Sequence, residues 1–200
     1  YHLTNTSHNV FDSTFSSVFN PEKAGVKDIV AVVGYMKEEV MAVLGDRVKY
    51  ANQDEMLGTG HAVMQAKEFL KGKKGKVLVL NGDVPLIRPE TLNKLIEKSI
   101  ENKEYVTLLT AIYDNPTGYG RIVRDEGGNI SAIVEEKDTT EEQKEIKEIN
   151  AGIYCFDIEE LLAALEKIQP NNAQGEYYLT DVIQIMNEKG LKTGAVIVED

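Results

Sequence analysis

The sequence predicts an α/β fold built on a mostly parallel sheet with an antiparallel patch. Three observations carry that reading. Short β-branched apolar runs alternate with segments of helical period. The run Lys76–Leu80 (KVLVL) is apolar without alternation, as suits a strand covered on both faces of a parallel sheet. Two strand-like runs flank Gly127–Gly128, the pattern of an antiparallel hairpin.

In chain order, Asp28–Val33 reads as a buried strand ended by Gly34. Lys37–Val43 reads as a short helix with Gly45 as its C-cap, and Val48–Ala51 as a second strand. Gly60–Lys71 carries Ala62, Val63, Ala66, Phe69 and Leu70 at helical spacing. Pro89–Glu101 is a second amphipathic helix, with Leu92, Leu95, Ile96 and Ile100 on one side. Tyr105–Tyr113 is the next strand, followed by the hairpin Arg121–Val123 and Asn129–Val134. Ile149–Phe156 is a strand, Glu159–Lys167 and Tyr178–Lys189 are helices, and Thr193–Val198 is the last strand. Sheets of this type bind ligands beyond the carboxyl ends of their strands.

Composition narrows the function. Two hundred residues suffice for one large domain with a sizeable core. A net charge of −11 with no basic stretch argues against a nucleic-acid partner. The acidic run Glu135–Glu148 is interleaved with Lys137, Lys144 and Lys147 and reads as a solvated face. Phosphate binding by such a chain must use local Lys or Arg, backbone amides or a divalent metal. The one cysteine, Cys155, lies in the apolar run Ile153–Phe156 and reads as a core residue, consistent with a reducing, cytoplasmic setting. No apolar stretch has the length of a membrane span, and the N-terminus lacks the pattern of a signal peptide. Residues 1–22 differ from the rest: they are rich in Ser, Thr, Asn and Phe and hold two of the three His. The break near Asn20–Glu22 predicts an atypical, disordered or non-native leading segment ahead of a domain over residues 23–200.

Several segments can carry chemistry. Asn81–Leu86 (NGDVPL) follows KVLVL directly, so Asp83 falls at a strand's carboxyl end, where a carboxylate suits Mg²⁺; Gly82 lets backbone approach a ligand. The competing reading is a turn that caps the next segment. Leu57–Ala62 (LGTGHA) leads into a helix and offers amides and the Thr59 hydroxyl to an anion or a base edge, or simply caps the helix; His61 reads as structural. Pro116–Ile122 (PTGYGRI) is a Gly-rich connection between strands. In Glu135–Asp138 (EEKD), Lys137 suits a phosphate and Glu135 suits sugar hydroxyls, against the plainer reading of a charged loop. Asn150 carries both donors and an acceptor, fit for a sugar or amide group. Asn171–Asp181 reads as a polar loop that shapes the site, with Thr180 and Asp181 near a helix start.

In this order LGTGHA, NGDVPL, NPTGYGRI, VEEKD, EINAGIY and NNAQGEYYLTD, within Lys23 to Asp200, resemble the uridylyltransferase domain of the bifunctional N-acetylglucosamine-1-phosphate uridylyltransferases/glucosamine-1-phosphate acetyltransferases. The resemblance implies a Rossmann-like nucleotide-diphospho-sugar transferase fold. It also implies Mg²⁺-dependent transfer of uridylyl from UTP to N-acetylglucosamine 1-phosphate, giving UDP-N-acetylglucosamine and pyrophosphate. Carried over by motif, Gln53, Gly58 and Thr59 contact the uracil, with Gly82 beside the nucleotide. Asp83 binds Mg²⁺, and Gly120, Glu135 and Asn150 hold the sugar; Asp83 and Lys137 are the catalytic candidates. This chain carries Asn81 where some relatives have Tyr. Residues 1–22 show no Gly-rich loop of the LAAGxGTRM type, and the chain stops at Asp200, ahead of the family's second metal ligand and of the acetyltransferase half through which the family trimerises. The expectation is therefore an incomplete nucleotidyltransferase domain that binds nucleotide sugar weakly at best and turns over slowly or not at all, and whose missing first strand leaves Asp28–Val33 with an open edge. A non-catalytic sugar-nucleotide-binding domain, or a nucleotidyltransferase for another sugar phosphate, is the alternative.

Overall fold

A computed structural model describes residues 21–82 and 87–198. The expectations for residues 1–20 and for Asp83 fall outside the described residues.

The described residues form two sheets. In the smaller, β1 (Val30–Val33) runs parallel to β2 (Lys49–Asn52) in unbroken register. Helix α1 (Lys37–Leu44) joins them and buries Val40 and Leu44 against Ile29, Ala31, Val33 and Val48. As expected, Gly45 caps α1: at φ 56° it turns the chain and donates its N–H to the Met41 carbonyl.

The larger sheet has six strands: β3 (Lys76–Leu80), β4 (Val106–Ile112), β5 (Arg121–Arg124), β6 (Ile130–Val134), β7 (Glu148–Asp157) and β8 (Thr193–Val198). β5 and β6 form the antiparallel hairpin, and β4 lies parallel to β8. β7 is antiparallel to β3, β4 and β5. The pairings make β3, β4, β5 and β8 point one way and β6 and β7 the other. The expected common direction therefore holds for most strands. Immediate neighbours are nonetheless largely antiparallel, because β7 inserts between β3 and β4.

β7 organises the site. Phe156 lies between Val77 and Val106, so β3 and β4 occupy opposite edges of β7. Ile149 lies between Arg121 and Ala111, so β5 takes over the edge that β3 has left. The handover falls at Asn150–Gly152. There Gly152 adopts φ 71°, the β4 register slips between Leu108 and Thr110, and the Asn81 N–H reaches the Gly152 carbonyl at 3.3 Å. An irregularity of this kind bends a strand and re-aims its side chains.

Helices cover both faces, as the KVLVL run requires. On one face α6 (Ile158–Leu165) and α7 (Asp181–Glu188) bury Leu161, Leu165, Val182 and Met186 against Val79, Leu108, Tyr154 and Phe156. On the other, α4 (Pro89–Glu101) packs Leu92 and Leu95 on Leu78, Leu80, Leu109, Ile153, Cys155 and Val196. Each such fully buried leucine contributes about 1.5–3 kcal/mol of transfer free energy. Burial pushes the Cys155 thiol up, which keeps it protonated and inert.

The single helix expected over Gly60–Lys71 is two: α2 (Thr59–Gln65) and α3 (Lys67–Leu70). The break is at Ala66, whose N–H bonds the Val63 carbonyl three residues back; that tighter turn sends Ala66 into the cluster of Val32, Ala51 and Ala62. The helix expected from Tyr178 starts at Asp181, because Tyr178–Thr180 form a buried turn. A short helix, α5 (Glu141–Lys144), opens with a capping box on Thr140 and Gln143. No helix among the described residues is long and apolar enough to cross a membrane.

Candidate functional site

A cavity of about 460 Å³ opens where β3 gives way to β5 along β7. Thr59, Asn81, Gly120, Glu135, Asn150, Tyr154 and Thr180 are among its lining residues. That volume is within the usual range for small-molecule sites.

Its floor is built by close approach. The Gly120 carbonyl accepts the Asn150 N–H at 2.9 Å. A Cβ on Gly120 would lie 3.2 Å from Ile133 Cγ2, 3.3 Å from Glu135 Oε2 and 3.6 Å from Asn150 Cβ, so the glycine keeps this corner open. Gly120, Glu135 and Asn150 are thus mutual neighbours. Arg121 underlies them: fully buried, it donates through Nη1 to the Tyr119 carbonyl and lies 2.7 Å from a Glu136 carboxylate oxygen. It ties the Gly-rich turn to the 3₁₀ turn Glu136–Asp138.

Two side chains are oriented by specific partners. Glu135 Oε1 accepts from the Thr180 hydroxyl at 3.0 Å. Burial raises the Glu135 carboxyl above its ordinary range and Asp138 and Asp181 add to this, while the Thr180 bond opposes it. Asn150 Oδ1 accepts the Gly152 N–H at 3.1 Å, and its Nδ2 donates to the Tyr154 hydroxyl oxygen at 2.6 Å. Each end of that amide keeps capacity for one more bond.

The LGTG segment is docked against the loop before α7. Tyr177 N–H bonds the Leu57 carbonyl at 2.8 Å, Gly60 N–H bonds the Tyr177 carbonyl at 2.7 Å, and Leu179 N–H bonds Thr59 Oγ1 at 3.0 Å. A Cβ on Gly58, at φ 105°, would meet the Tyr177 carbonyl at 2.7 Å. These glycines serve packing, and the Gly60 amide is already engaged within the protein.

The expected site residues separate into two groups. Thr59, Gly120, Glu135 and Asn150 converge on one cavity. Gly82 is buried at the end of β3, whereas Gln53 and Gly58 sit behind Thr59. Gln53 is buried and donates to the Gly58 carbonyl at 3.1 Å, with His61 Nδ1 at 3.2 Å, so His61 is held within the structure as its sequence context implied. Lys137 is exposed and its ammonium bonds Gln174, a lining residue, which puts it at the rim.

Sequence reasoning missed Tyr154, which it left unremarked within the strand Ile149–Phe156, and Tyr113, which meets Tyr119 edge-to-face with ring centroids 5.3 Å apart. A spacing of four along a strand aligns Tyr154 with Asn150 and was the available signal. The arrangement offers a ring of hydrogen-bonding groups between aromatic walls, suited to a polyol.

Comparison with known proteins follows the same lines. Residues 3–200 match the nucleotidyl transferase family model. The chain is 56% identical over 178 residues to the bifunctional protein GlmU of Caldanaerobacter subterraneus subsp. tengcongensis, covering 89% of this chain and 39% of that protein. It is 52% identical over 179 residues to that of Acetivibrio thermocellus, covering 90% and 39%. The chain therefore spans about two fifths of the length of these curated relatives. A solved structure from Bacillus anthracis, described as a glucose-1-phosphate thymidylyltransferase in complex with sucrose, superposes with a TM-score of 0.77 at 19% identity over 94% of this chain and 74% of that one. That likeness shows the fold. The chain belongs to the nucleotidyl transferase family.

Proposed function

We propose that this chain is a uridylyl-transfer domain whose cavity holds the N-acetylglucosamine part of the substrates, UTP and N-acetylglucosamine 1-phosphate, or of the product, UDP-N-acetylglucosamine. The observation that carries the reading is the convergence of Gly120, Glu135 and Asn150, with Thr59, on one cavity of monosaccharide scale. Glu135 accepts from sugar hydroxyls, and the free acceptor and donor of Asn150 suit an amide or hydroxyl. Gly120 leaves the sugar room to approach the backbone. Thr59 and the Gly82 turn lie toward the nucleotide, with Gln53 bracing Thr59 through Gly58. Lys137 reaches phosphate from the rim by exchanging its Gln174 contact.

Asp83 is the residue we assign to Mg²⁺. In sequence it follows cavity-lining Asn81 by two positions. One carboxylate is a fitting donor for an ion that is completed by water and substrate phosphate oxygens. When bound, Mg²⁺ supplies neutralisation of phosphate charge. The protein's own contribution is to align the sugar phosphate with the α-phosphorus of UTP and to hold pyrophosphate as it leaves. Buried, unpaired Cys155 accords with a reducing, cytoplasmic setting.

The test is calorimetry with UDP-N-acetylglucosamine alongside a pyrophosphate-release assay with UTP, N-acetylglucosamine 1-phosphate and Mg²⁺. Saturable binding and metal-dependent release, the latter abolished in Asp83→Ala, are expected. Binding without release reduces the chain to a sugar-nucleotide-binding domain. Absence of both overturns the proposal.

A further inference from the structure

We propose that the Tyr154 hydroxyl is a specificity-determining hydrogen-bond donor to the sugar held in the 460 Å³ cavity. This rests on the reading of that cavity as a sugar site.

Proton direction at Asn150 and Tyr154 decides the assignment. The Gly152 N–H can only donate, and it points at the Asn150 side chain at 3.1 Å, so the atom it meets must be the amide oxygen. The other end of that side chain is then Nδ2, and it faces the Tyr154 oxygen at 2.6 Å. An amide nitrogen cannot accept, so Tyr154 accepts there. Its own proton must point elsewhere, and among the described residues the hydroxyl has no other partner.

Tyr154 is 3% exposed and lines the cavity. A buried donor without an acceptor is costly, and a ligand oxygen relieves that cost. Burial, with the nearby Glu135 adding to it, also pushes the phenol well above its ordinary range, so the proton stays in place at every working pH. The ring is fixed from below by stacking on Phe156, with centroids 5.4 Å apart and planes 22° apart. The hydroxyl is thus pre-oriented, four residues beyond the Asn150 whose amide it also steers.

Tyr154→Phe removes one oxygen and keeps the ring. Calorimetry on wild type and variant, with UDP-N-acetylglucosamine and separately with UDP, is the test. The expected result is about three- to tenfold weaker binding of the sugar nucleotide, the scale of one neutral hydrogen bond, with UDP affinity unchanged within about twofold. In an Asn150→Ala background the phenylalanine still weakens sugar-nucleotide binding. No loss in the variant overturns the proposal, as does equal loss for both ligands, which marks a merely structural role. No further loss in the Asn150→Ala background means the tyrosine acts only through the asparagine, and also overturns it. A wild-type chain that binds UDP but not the sugar nucleotide overturns the sugar site itself, and this inference with it.

Discussion

In the β1–β2 sheet the strands pair in parallel without a slip, and Gly45 turns the chain where a Cβ would meet nothing within 4 Å. At the β7 junction two strands share one edge, the β4 register slips, and Gly152 turns the chain where a Cβ would lie 2.4 Å from the Asn81 amide. Both glycines have positive φ, 56° and 71°. The first satisfies only the backbone. The second also clears room for a neighbour, and the cavity forms there. Regular pairing leaves no polar groups over, whereas the interrupted ladder redirects Asn81, Asn150 and Gly120 toward a common space. The comparison teaches that the site arises from a deliberate fault in the sheet.

Matched glycine substitutions put that contrast to its strongest test. Gly152→Ala combines left-handed strain with overpacking and should destabilise by about 2–4 kcal/mol, lowering Tm by about 2–4 °C per kcal/mol in a chain of this size, with at least about a tenfold loss of UDP-N-acetylglucosamine affinity. Gly45→Ala carries strain alone, about 1–2 kcal/mol, and should leave ligand affinity unchanged. Equal effects on calorimetric stability and on binding would erase the distinction.

Glu135→Gln sharpens it. A carboxyl raised in the folded state gives stability that is present below its unfolded value near pH 4 and lost as pH rises through the folded value. Above that folded value the ionised Glu135 is therefore a liability, and the glutamine variant should melt higher than wild type there, the gap closing toward pH 4. Its sugar-nucleotide affinity should nonetheless fall about tenfold, since a charged acceptor has become neutral. A variant that melts lower at every pH would show the site to be built for stability.

The smallest effect belongs to the other sheet. Asp28 bridges Lys49 and Lys73 at 3.3 and 3.2 Å on the surface. Its bonds to Lys73 and then Lys49 lower its carboxyl, so what it contributes is present above pH 4 and fades below. Asp28→Ala should shift Tm barely measurably, the shift vanishing in about 1 M salt. A large loss that salt abolishes would mean that charge, and not the packing of Val40 and Leu44, holds the smaller sheet.

Legibility follows the same division. β3, α4 and β8 match their sequence-derived bounds, since each is a local pattern with its own breakers: KVLVL after Gly75, a periodic run opened by Pro89, a β-branched run after Lys192. Gly120, Glu135 and Asn150 were found through ordered motifs, and the cavity unites them. The break at Ala66 and the shared edge of β7 were not legible. Each depends on which residues far along the chain become neighbours, and a one-residue slip reverses the facing of side chains. Lys137 was read as a phosphate ligand from charge alone, and charge does not tell an inner wall from a rim.

The β5–β6 hairpin meets β7 through one register pair, Arg121 with Ile149, the neighbouring Asn150-to-Gly120 bond and the two-bond ion pair of Arg124 with Glu148. Elsewhere it is fastened to α7, by Asn187 to the Ile130 and Ser131 carbonyls and by Thr180 to Glu135. Hairpin and helix also share one apolar core with the rest of the domain, Ile122, Ile130, Ile133, Val182 and Met186 clustering with Leu161, Tyr154 and Phe156. The ladder to β7 is short and that core is wide, so apolar burial more than strand pairing seats the hairpin. An insertion at the exposed Gly127–Gly128 tip, away from that core, should therefore be tolerated with little loss of stability.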